Sequence, residues 1–348
     1  MRIINTALLS YGMSGKVFHA PFLTVHPGFQ LIGAWERSTL KIVTDYPQVK
    51  SYPTLESLLV DSDVELVIIN TPIGTHYEYA REALLANKHV IVEKAFTSTA
   101  AEAAELKQLA EKRNLMLSVF QNRRWDSDFL TVQKIIRGGW LGDIIEATIC
   151  FDRYNPGLSQ KRHKEIPQPG SGNVYDLGPH LMDQALVLFG MPEAVFADLM
   201  INREGSQIED YFEILLYYSN HRVRLKSGYF VREPAPAYQI HGRKGSFLKS
   251  RADVQEASLI RGMKPDDPVY GIEPESEQGI LHAEREGEFV RERIPTLRGN
   301  YLHYFQGIYD SVINRTPVPV SADDGINVMQ IIEAAYASHS QRKVVTLR

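Results

Sequence analysis

Cysteine is nearly absent from this chain of 348 residues, which contains Cys150 alone. A single cysteine excludes an intrachain disulfide and a thiolate-rich metal site, and it is compatible with a reducing compartment. No apolar run approaches the roughly 18 residues of a transmembrane helix, so we expect no membrane partner. The opening residues lack a signal-peptide cleavage pattern. We therefore expect them to form a buried strand and turn in a cytoplasmic protein.

An excess of positive charge is also missing, since 38 Lys and Arg residues oppose 42 Asp and Glu residues for a net charge of −4. A basic face is needed to bind nucleic acid, so we expect no such partner. Neither a G-x-S-x-G elbow nor a P-loop motif occurs, which excludes the common serine hydrolase and P-loop classes. Asp176, His180 and Asp183 have metal-binding side chains but no recognisable zinc spacing, and we expect no metal.

Short apolar runs alternate with helical patterns from residue 3 to about residue 120. Runs typical of strands buried on both faces lie at 3–10, 29–36, 64–71, 88–94 and 115–121. Helical patterns lie between them at 54–62, 76–88 and 98–114. This alternation predicts a doubly wound parallel sheet, and residues 1–121 are predicted to form a dinucleotide-binding Rossmann domain.

The pattern changes after residue 121. Longer alternating segments predict strands at 144–154, 195–203, 209–218, 221–230 and 236–242. Helices are predicted at 128–142, 175–190 and 323–341. Residues 251–286 are polar and predicted to be irregular, while the mixed-charge segment 283–293 is predicted to be a solvated strand edge. Short turns between the strands favour an antiparallel or mixed sheet, so the second domain, residues 122–348, is predicted to be α+β.

A glycine turn follows the first predicted strand. Gly12, Met13, Ser14 and Gly15 fit the spacing of G-x-G-x-x-G, with Ser10 at the first glycine position. Such a turn can hold a pyrophosphate against the amides at the start of a helix. Gly12 would allow the phosphates to approach the backbone, and Gly15 would allow close packing of helix and strand. The alternative is an ordinary glycine turn without a ligand.

Three residues at the end of the second strand bear on the choice of cofactor. Glu36 lies about 20 residues beyond the last glycine, where a carboxylate binds the cofactor ribose. Glu36 favours NAD, because a carboxylate repels the 2′-phosphate of NADP. Arg37 can pair with that phosphate and Ser38 can donate a hydrogen bond to it, so we favour NADP over NAD. The alternative places Arg37 in a solvated loop.

Candidate ligand-binding residues, most of them polar, lie where the later strands of the parallel sheet end. This is the edge at which ligands bind. These residues are Thr71, Pro72, His76, Glu93, Lys94, Asn122, Arg123 and Trp125. Farther along, Asp176 and His180 lie one helical turn apart, and Asp183 could orient the imidazole. A carboxylate, an imidazole and a lysine around a carbinol form a proton relay. The alternative is a helix N-terminus capped by Asp176, with His180 as a core histidine.

Five segments spread over the whole chain carry a family pattern. They read SYGMSGKVFHAPF (10–22), NTPIGTHYEYAREAL (70–84), VEKA (92–95), QNRRWDSDF (121–129) and SGNVYDLGPHLMDQ (171–184). Together they resemble the Gfo/Idh/MocA oxidoreductase family, which includes glucose–fructose oxidoreductase and inositol dehydrogenases. The first segment and residues 36–38 resemble its NADP-dependent scyllo-inositol dehydrogenase branch.

The resemblance implies a second domain with a large open, mostly antiparallel sheet that serves substrate and subunit contacts. It also implies a homodimer or homotetramer. Within the chain, the C-terminal helix is expected to pack back toward the first domain. Two positions depart from the family pattern. Ser10 replaces the first glycine of the turn, and Ala95 stands where the family usually has proline after Glu-Lys. Proline there is expected to shape the backbone behind Lys94.

The resemblance assigns catalytic roles to Lys94, Asp176 and His180. His180 would take the hydroxyl proton, Lys94 would polarise the oxygen, and Asp176 would fix the geometry. The implied cofactor contacts are Gly12, Met13, Ser14, Gly15, Glu36, Arg37, Ser38, Thr71, Pro72, His76, Glu93, Lys94 and Asn122. The implied substrate contacts are Arg123, Trp125, Tyr154, Asp176 and His180.

The preferred interpretation is an NAD(P)-dependent dehydrogenase that acts on CH–OH groups. It would transfer a hydride between nicotinamide and the carbinol carbon of a polyol, inositol or sugar. One alternative is a dinucleotide-sensing binding protein without turnover, because the same fold hosts regulators. Another is a reductase of an aldehyde, imine or biliverdin-like substrate. The presence of Lys94, Asp176 and His180 together argues against the sensor.

Overall fold

The computed structural model describes residues 2–36, 40–159 and 165–347. The chain forms two compact units, each assembled from three segments. The first unit comprises Met1–Asn122, Gln255–Tyr270 and Asn300–Ile326. The second comprises Arg123–Val254, Gly271–Gly299 and Asn327–Arg348. The sequence predicts a single division, after residue 121, and that simpler division stays a prediction.

A parallel sheet forms the centre of the first unit. Its strands are β1 (Ile4–Leu8), β2 (Phe29–Trp35), β3 (Lys50–Tyr52), β4 (Leu66–Ile69), β5 (His89–Glu93) and β6 (Leu117–Phe120). They are hydrogen-bonded in the order β3-β2-β1-β4-β5-β6, and every neighbouring pair is parallel. This order is that of a doubly wound dinucleotide-binding sheet, so the predicted Rossmann fold is confirmed.

The second unit contains an open sheet of nine strands. They are β7 (Ile144–Cys150), β8 (Ala194–Met200), β9 (Tyr211–Tyr217), β10 (Arg222–Gly228), β11 (Tyr238–Gly242), β12 (Gly245–Lys249), β13 (Gly279–Arg285), β14 (Glu288–Ile294) and β15 (Val345–Thr346). Their order is β14-β13-β12-β11-β7-β10-β9-β8-β15, and only β7 and β10 pair in parallel. The expected large, mostly antiparallel sheet is confirmed.

Helices cover both sheets. They are α1 (Ala20–Val25), α2 (Ile42–Asp45), α3 (Leu55–Leu59), α4 (His76–Leu85), α5 (Ala100–Arg113), α6 (Ser127–Arg137), α7 (Asn173–Asp176), α8 (Gly178–Phe189), α9 (Gln255–Ile260), α10 (Leu302–Asn314) and α11 (Ala322–Gln341). Capping boxes start two of them, because Thr54 accepts a bond from the Ser57 amide and Thr99 from the Glu102 amide. Among the described residues, no helix has the length and apolarity to cross a membrane.

An aromatic cluster packs the two later segments of the first unit against its helix α1. The ring of Phe22 in α1 stacks on Phe305 of α10, with centroids 5.1 Å apart and planes inclined by 8°. Tyr270 and Tyr301 lie against the same ring at 6.4 and 6.2 Å. The amide of Tyr301 also donates to Gln255 Oε1 at 2.9 Å. These contacts explain why residues far along the chain group with the Rossmann sheet.

The structure corrects two predictions of secondary structure. The helix predicted at 175–190 is two helices, α7 and α8, which meet at Leu177. Pro179 has no amide hydrogen, so the backbone ladder is interrupted where α8 begins. The segment 251–286, predicted to be irregular, contains α9 and β13.

The segment predicted to be a solvated strand edge forms part of a hairpin. β13 and β14 pair in antiparallel fashion, and β14 is the last strand on its side of the sheet. Most residues of β14 are exposed, including Glu288, Arg291, Glu292 and Arg293. The prediction holds for the β14 part of the segment, whereas residues 283–285 belong to β13, which is paired on both sides, and Ala283 is buried.

A buried ion pair stabilises the second unit. Lys249 Nζ lies 2.5 Å from Glu273 Oε2, and neither side chain is exposed to solvent. The same ammonium donates to the Glu277 carbonyl at 2.8 Å, while Ser127 Oγ donates to Glu273 Oε1 at 2.6 Å. Burial raises the pKa of Glu273, and the bonds from Lys249 and Ser127 oppose that effect. The carboxylate is therefore costly to bury without its partners.

Removing one member of this pair should destabilise the second unit strongly. Lys249→Met leaves Glu273 as an uncompensated buried charge, so we expect the free energy of unfolding to fall by about 3–5 kcal/mol. Adding Glu273→Gln should recover part of that loss, because the amide is neutral and still accepts from Ser127. Urea unfolding measures both variants. Arg243→Gln, in an exposed pair with Asp143, serves as control; a Lys249→Met loss no larger than the control's would contradict the assignment.

Candidate active site

The glycine turn is shaped by contacts that differ between its two glycines. A Cβ atom on Gly15 would lie 2.4 Å from the Ser10 carbonyl oxygen and 2.9 Å from Asn70 Nδ2. A Cβ on Gly12 would meet only Ser10 Oγ, at 3.5 Å. Gly15 is thus required for packing, whereas Gly12 leaves open space above the turn. Met13 is 58% exposed at the same place, and an open surface at the start of a helix fits a pyrophosphate.

Ser10 takes part in the turn through its side chain. The Gly12 amide donates to Ser10 Oγ at 3.2 Å, and Asn70 Nδ2 donates to the Ser10 carbonyl at 2.7 Å. The hydroxyl therefore supplies a hydrogen bond that glycine at this position could not make. The departure from the family pattern is accommodated within the turn itself.

The carboxylate of Glu93 connects the glycine turn to the end of β5. Its Oε1 accepts a hydrogen bond from Ser14 Oγ and lies 2.9 Å from His19 Nε2. Its Oε2 accepts from the Lys94 amide at 3.3 Å. His19 is fully buried, with its ring 4.3 Å from the centroid of Phe120. Ser14 and Glu93 are both predicted cofactor contacts, and the structure directs their side chains at each other.

The environment of Glu93 favours its ionised form. Burial raises the pKa of this carboxyl group, but the hydrogen bonds and charge of His19, the Ser14 hydroxyl and the charge of Lys94 outweigh burial. The pKa of Glu93 consequently lies below its ordinary value. A carboxylate held in this way fixes the turn and the backbone of Lys94 together.

His76 joins the loops that follow β4 and β5. Its ring is fully buried, with Nδ1 2.9 Å from the Ala95 carbonyl oxygen and Nε2 2.9 Å from that of Thr71. Burial lowers the pKa of His76. The peptide bond between Lys94 and Ala95 is cis. Since both ring nitrogens face backbone carbonyls, His76 supports the loops around Lys94. Its contact with the cofactor stays a prediction.

The other predicted residues of the first unit lie at the carboxyl edge of the parallel sheet. Lys94 is half-buried and directly follows β5. The hydroxyls of Thr71 and Thr75 are 2.7 Å apart, and Pro72 is exposed beside them. Asn122 is buried just after β6. These positions agree with the edge at which open parallel sheets bind ligands.

Glu36 follows β2 and accepts a hydrogen bond from the Ile42 amide through Oε2, at 3.0 Å. That bond ties the residue that follows β2 to the first residue of α2. Arg37 and Ser38, the two residues on which the choice of NADP depends, lie outside the described residues. Their contribution to cofactor preference stays a prediction.

The D-x-x-x-H pair of the second unit spans the junction of α7 and α8. Asp176 is exposed at the last position of α7, and His180 is 6% exposed in the first turn of α8. Asp183 forms a two-point ion pair with Arg124, whose Nε and Nη2 lie 2.8 and 2.6 Å from its two oxygens. This pairing was not predicted. It anchors α8 next to the residues that follow β6.

Glu209 supports the site although it is not among the predicted residues. Its Oε1 accepts from the Val174 amide at 3.1 Å and from Tyr336 Oη at 2.7 Å. Burial raises the pKa of Glu209. Gly172 adopts φ +97°, and a Cβ there would lie 2.0 Å from Glu209 Oε1. Glu209 therefore holds the start of the helix that ends at Asp176.

Three of the predicted substrate contacts, Arg123, Trp125 and Tyr154, differ in exposure and in side-chain partners. Arg123 lies over the ring of Phe151 at 5.2 Å, and its Nη1 is 3.4 Å from Asp126. Tyr154 is 43% exposed and accepts a bond from Arg232 at 2.6 Å. Trp125 ends the short 3-10 helix that begins at Asn122. Within the parts of the chain that are described, no cluster of three or more His, Cys, Asp or Glu side chains could hold a metal.

Comparisons with known proteins agree with this architecture. The model described as "Oxidoreductase family, NAD-binding Rossmann fold" matches residues 4–121, and that of the family's C-terminal alpha/beta domain matches 133–347. Scyllo-inositol 2-dehydrogenase (NADP(+)) IolW of Bacillus subtilis (strain 168) is 40% identical over 344 residues, covering 99% of this chain and 96% of the relative. The uncharacterized oxidoreductase YdgJ of Escherichia coli (strain K12) is 38% identical, covering 99% of both chains.

Solved structures give the same result. The yvaA structure from Bacillus subtilis aligns with a TM-score of 0.95 at 39% identity, covering 99% of both chains. A structure from Bacteroides fragilis NCTC 9343 aligns with a TM-score of 0.91 at 45% identity, covering 99% of this chain and 100% of the other. The matched models, together with the parallel sheet and the second, mixed sheet, show an oxidoreductase with an NAD-binding Rossmann fold. The chain belongs to the Gfo/Idh/MocA oxidoreductase family, as the five segments predict.

The two glycines of the turn should respond differently to the same substitution. Gly15→Ala forces a Cβ against backbone, and we expect a loss of about 1–3 kcal/mol in the free energy of unfolding. Gly12→Ala should change the free energy of unfolding by less than about 0.5 kcal/mol. Its methyl group should keep the cofactor phosphates from the backbone and lower the affinity for NADP by roughly tenfold or more. Thermal unfolding and fluorescence titration measure these effects. Unchanged affinity in Gly12→Ala would mean that the phosphates lie elsewhere.

The lowered pKa of Glu93 predicts a pH-dependent contribution to stability. The ionised carboxylate stabilises the fold above its unfolded pKa of about 4.3, and this contribution is lost as pH falls through the lower folded value. Glu93→Gln should therefore reduce the free energy of unfolding by about 1–3 kcal/mol at pH 7. The deficit should shrink at pH 4. Urea unfolding at both pH values tests this, with exposed Glu111→Gln as control; a deficit that grows on acidification would contradict the pKa direction.

Proposed function

We propose that the chain is an NAD(P)-dependent dehydrogenase acting on the CH–OH groups of a polyol, inositol or sugar, with NADP preferred. The observation that carries the proposal is the position of Lys94 directly after β5, where Glu93 ties its amide to Ser14 of the glycine turn. A lysine beside the turn that holds a dinucleotide is suited to act on a substrate oxygen. The full-length similarity to scyllo-inositol 2-dehydrogenase supports the same substrate class.

On this proposal, residues 1–121 bind the cofactor and residues 122–348 bind the substrate. The bound cofactor supplies hydride transfer at its nicotinamide ring. Lys94 donates a hydrogen bond to the substrate oxygen and stabilises the charge that develops there. His180 takes the hydroxyl proton, and Asp176 orients the reacting groups. A positioned acid–base pair of this kind can serve oxidation of the alcohol and reduction of the carbonyl alike.

The NADP preference rests on residues 37 and 38 and on the similarity to the NADP(+)-dependent scyllo-inositol 2-dehydrogenase of Bacillus subtilis. Arg37 would pair with the 2′-phosphate of NADP, and Glu36, whose carboxylate accepts a hydrogen bond from the Ile42 amide, would repel that phosphate less than a carboxylate without such a bond. We further propose that the enzyme works in the cytoplasm as a homodimer or homotetramer.

The proposed function predicts nicotinamide-dependent turnover that depends on two residues. With NADP⁺ and a panel of inositols and sugars, absorbance of the reduced cofactor should rise. His180→Ala should lower turnover by about two to four orders of magnitude while NADP⁺ affinity changes little. Lys94→Met should lower turnover more than substrate affinity, because its interaction is strongest in the transition state.

The controls are two exposed residues of the same types, Lys112→Met in α5 and His282→Ala in β13, which should behave as the unmodified chain. Near-normal turnover in folded His180→Ala protein would contradict the role of His180. A chain that binds NADP⁺ tightly but oxidises no member of the panel, and reduces no corresponding ketone, would favour the sensing alternative instead.

A further inference from the structure

Three arginines surround one phenylalanine ring in the second unit. The guanidinium carbons of Arg251, Arg123 and Arg153 lie 4.6, 5.2 and 5.5 Å from the centroid of Phe151. Each distance is within the range of a cation–π contact, yet a single ring offsets only part of the repulsion among three cations. Such a cluster requires negative charge from elsewhere.

Four carboxylates near this cluster accept hydrogen bonds or ion pairs from Arg123 or from groups outside the cluster. Asp126 lies near Arg123, with 3.4 Å between Oδ2 and Nη1. Asp152, next to Phe151 in sequence, accepts from Lys226 Nζ at 3.1 Å and from the Gly228 amide at 2.9 Å. Asp128 accepts from Tyr238, Ala252 and Asp253, and Asp183 accepts from Arg124. Asp176, on α7, is exposed.

Two of the three arginines have no carboxylate partner among the described residues. The side chain of Arg153 is partly exposed, and its buried Nε has no hydrogen bond there. Arg251 donates only to uncharged oxygens, the Cys150 carbonyl at 3.1 Å and Gln184 Oε1 at 3.4 Å, and its Nη1 is unsatisfied. Residues 160–164 contain no Asp or Glu by sequence. Within residues 2–36, 40–159 and 165–347, the pair therefore carries two positive charges without a matching carboxylate.

Hydrogen bonds connect this pair to the predicted catalytic helices. Gln184, which contacts Arg251, lies one turn beyond His180 on α8. On the other side, Ser227 Oγ donates to the Phe151 carbonyl at 2.7 Å and accepts from Asn173 Nδ2 at 3.0 Å. Asn173 begins α7, which ends at Asp176. Arg153 also lies over the ring of Tyr229, 5.1 Å from its centroid, and the charge of Asp176 reaches that same side chain.

We propose that Arg153 and Arg251 form an anion subsite that binds a carboxylate or phosphate group of the substrate. The inference rests on the proposed function and narrows its substrate class from polyols in general to acidic polyols, such as sugar acids or sugar phosphates. Guanidinium groups bind both anions through charge-assisted hydrogen bonds. Neutral inositols and sugars would bind without that contribution.

Equilibrium binding to the full chain with NADP⁺ tests the subsite without requiring turnover. Calorimetric titrations use D-glucuronate, D-glucose 6-phosphate and D-glucose as probes. At least one anionic probe should bind about tenfold or more tightly than glucose, and the stronger of the two identifies carboxylate or phosphate as the preferred group. Arg153→Gln and Arg251→Gln should each weaken that probe by about tenfold or more, the effect of losing a charged hydrogen bond, and glucose by less than about twofold.

Arg243→Gln, which removes a 69% exposed guanidinium of the same unit, is the matched control and should leave all three affinities unchanged. Arg153→Lys keeps the charge and should retain most of the anion preference if Arg153→Gln unfolds. Equal affinity of the unmodified chain for glucose and both anionic probes would overturn the subsite, as would equal losses for glucose and anion in the variants. Tight, arginine-dependent glucuronate binding without any turnover would instead overturn the proposed dehydrogenase and leave the subsite standing.

Discussion

The largely buried carboxylate of Glu93 is the interaction on which the glycine turn and the end of β5 depend. It receives bonds from Ser14, His19 and the Lys94 amide, so one side chain fixes both the glycine turn and the residue after β5. Burial opposes the charge, and only the combined donors keep the pKa below its ordinary value. Fixing these elements in advance removes part of the entropy that ordering them around a ligand would otherwise cost.

The elements that sequence could predict are those with a local physical signal. The strands of the parallel sheet are short apolar runs, and their hydrophobicity gives nearly the observed bounds; β3, with only three residues, gives no such run. The glycine turn is predictable because its spacing follows from backbone geometry. The break between α7 and α8 at Leu177 was not predicted, because the helical spacing of Asp176 and His180 favours one continuous helix. Pro179 was the local signal for the break.

The side-chain partners of the site could not be predicted in the same way. Arg124 meets Asp183, and Glu209 meets the start of α7, across long stretches of chain whose packing leaves no periodic signal. The same holds for Lys249 and Glu273, and for Arg203, which Glu165 and Asp210 neutralise from two sides. Lys249 and Arg203 thus have carboxylate partners. Arg153 and Arg251, beside Phe151, differ from them because they have none among the described residues.

Strand β14, at one edge of the nine-stranded sheet, has a consequence for the behaviour of the protein at high concentration. An edge strand exposes unpaired amides and carbonyls, which can template pairing with a strand from another molecule. On β14, Glu288, Arg291, Glu292 and Arg293 would have to approach charges on any strand added there. Desolvating those groups is costly, so continuous growth of the sheet from chain to chain is discouraged. We therefore expect the charged residues of β14 to oppose fibrillar aggregation at that edge of the sheet.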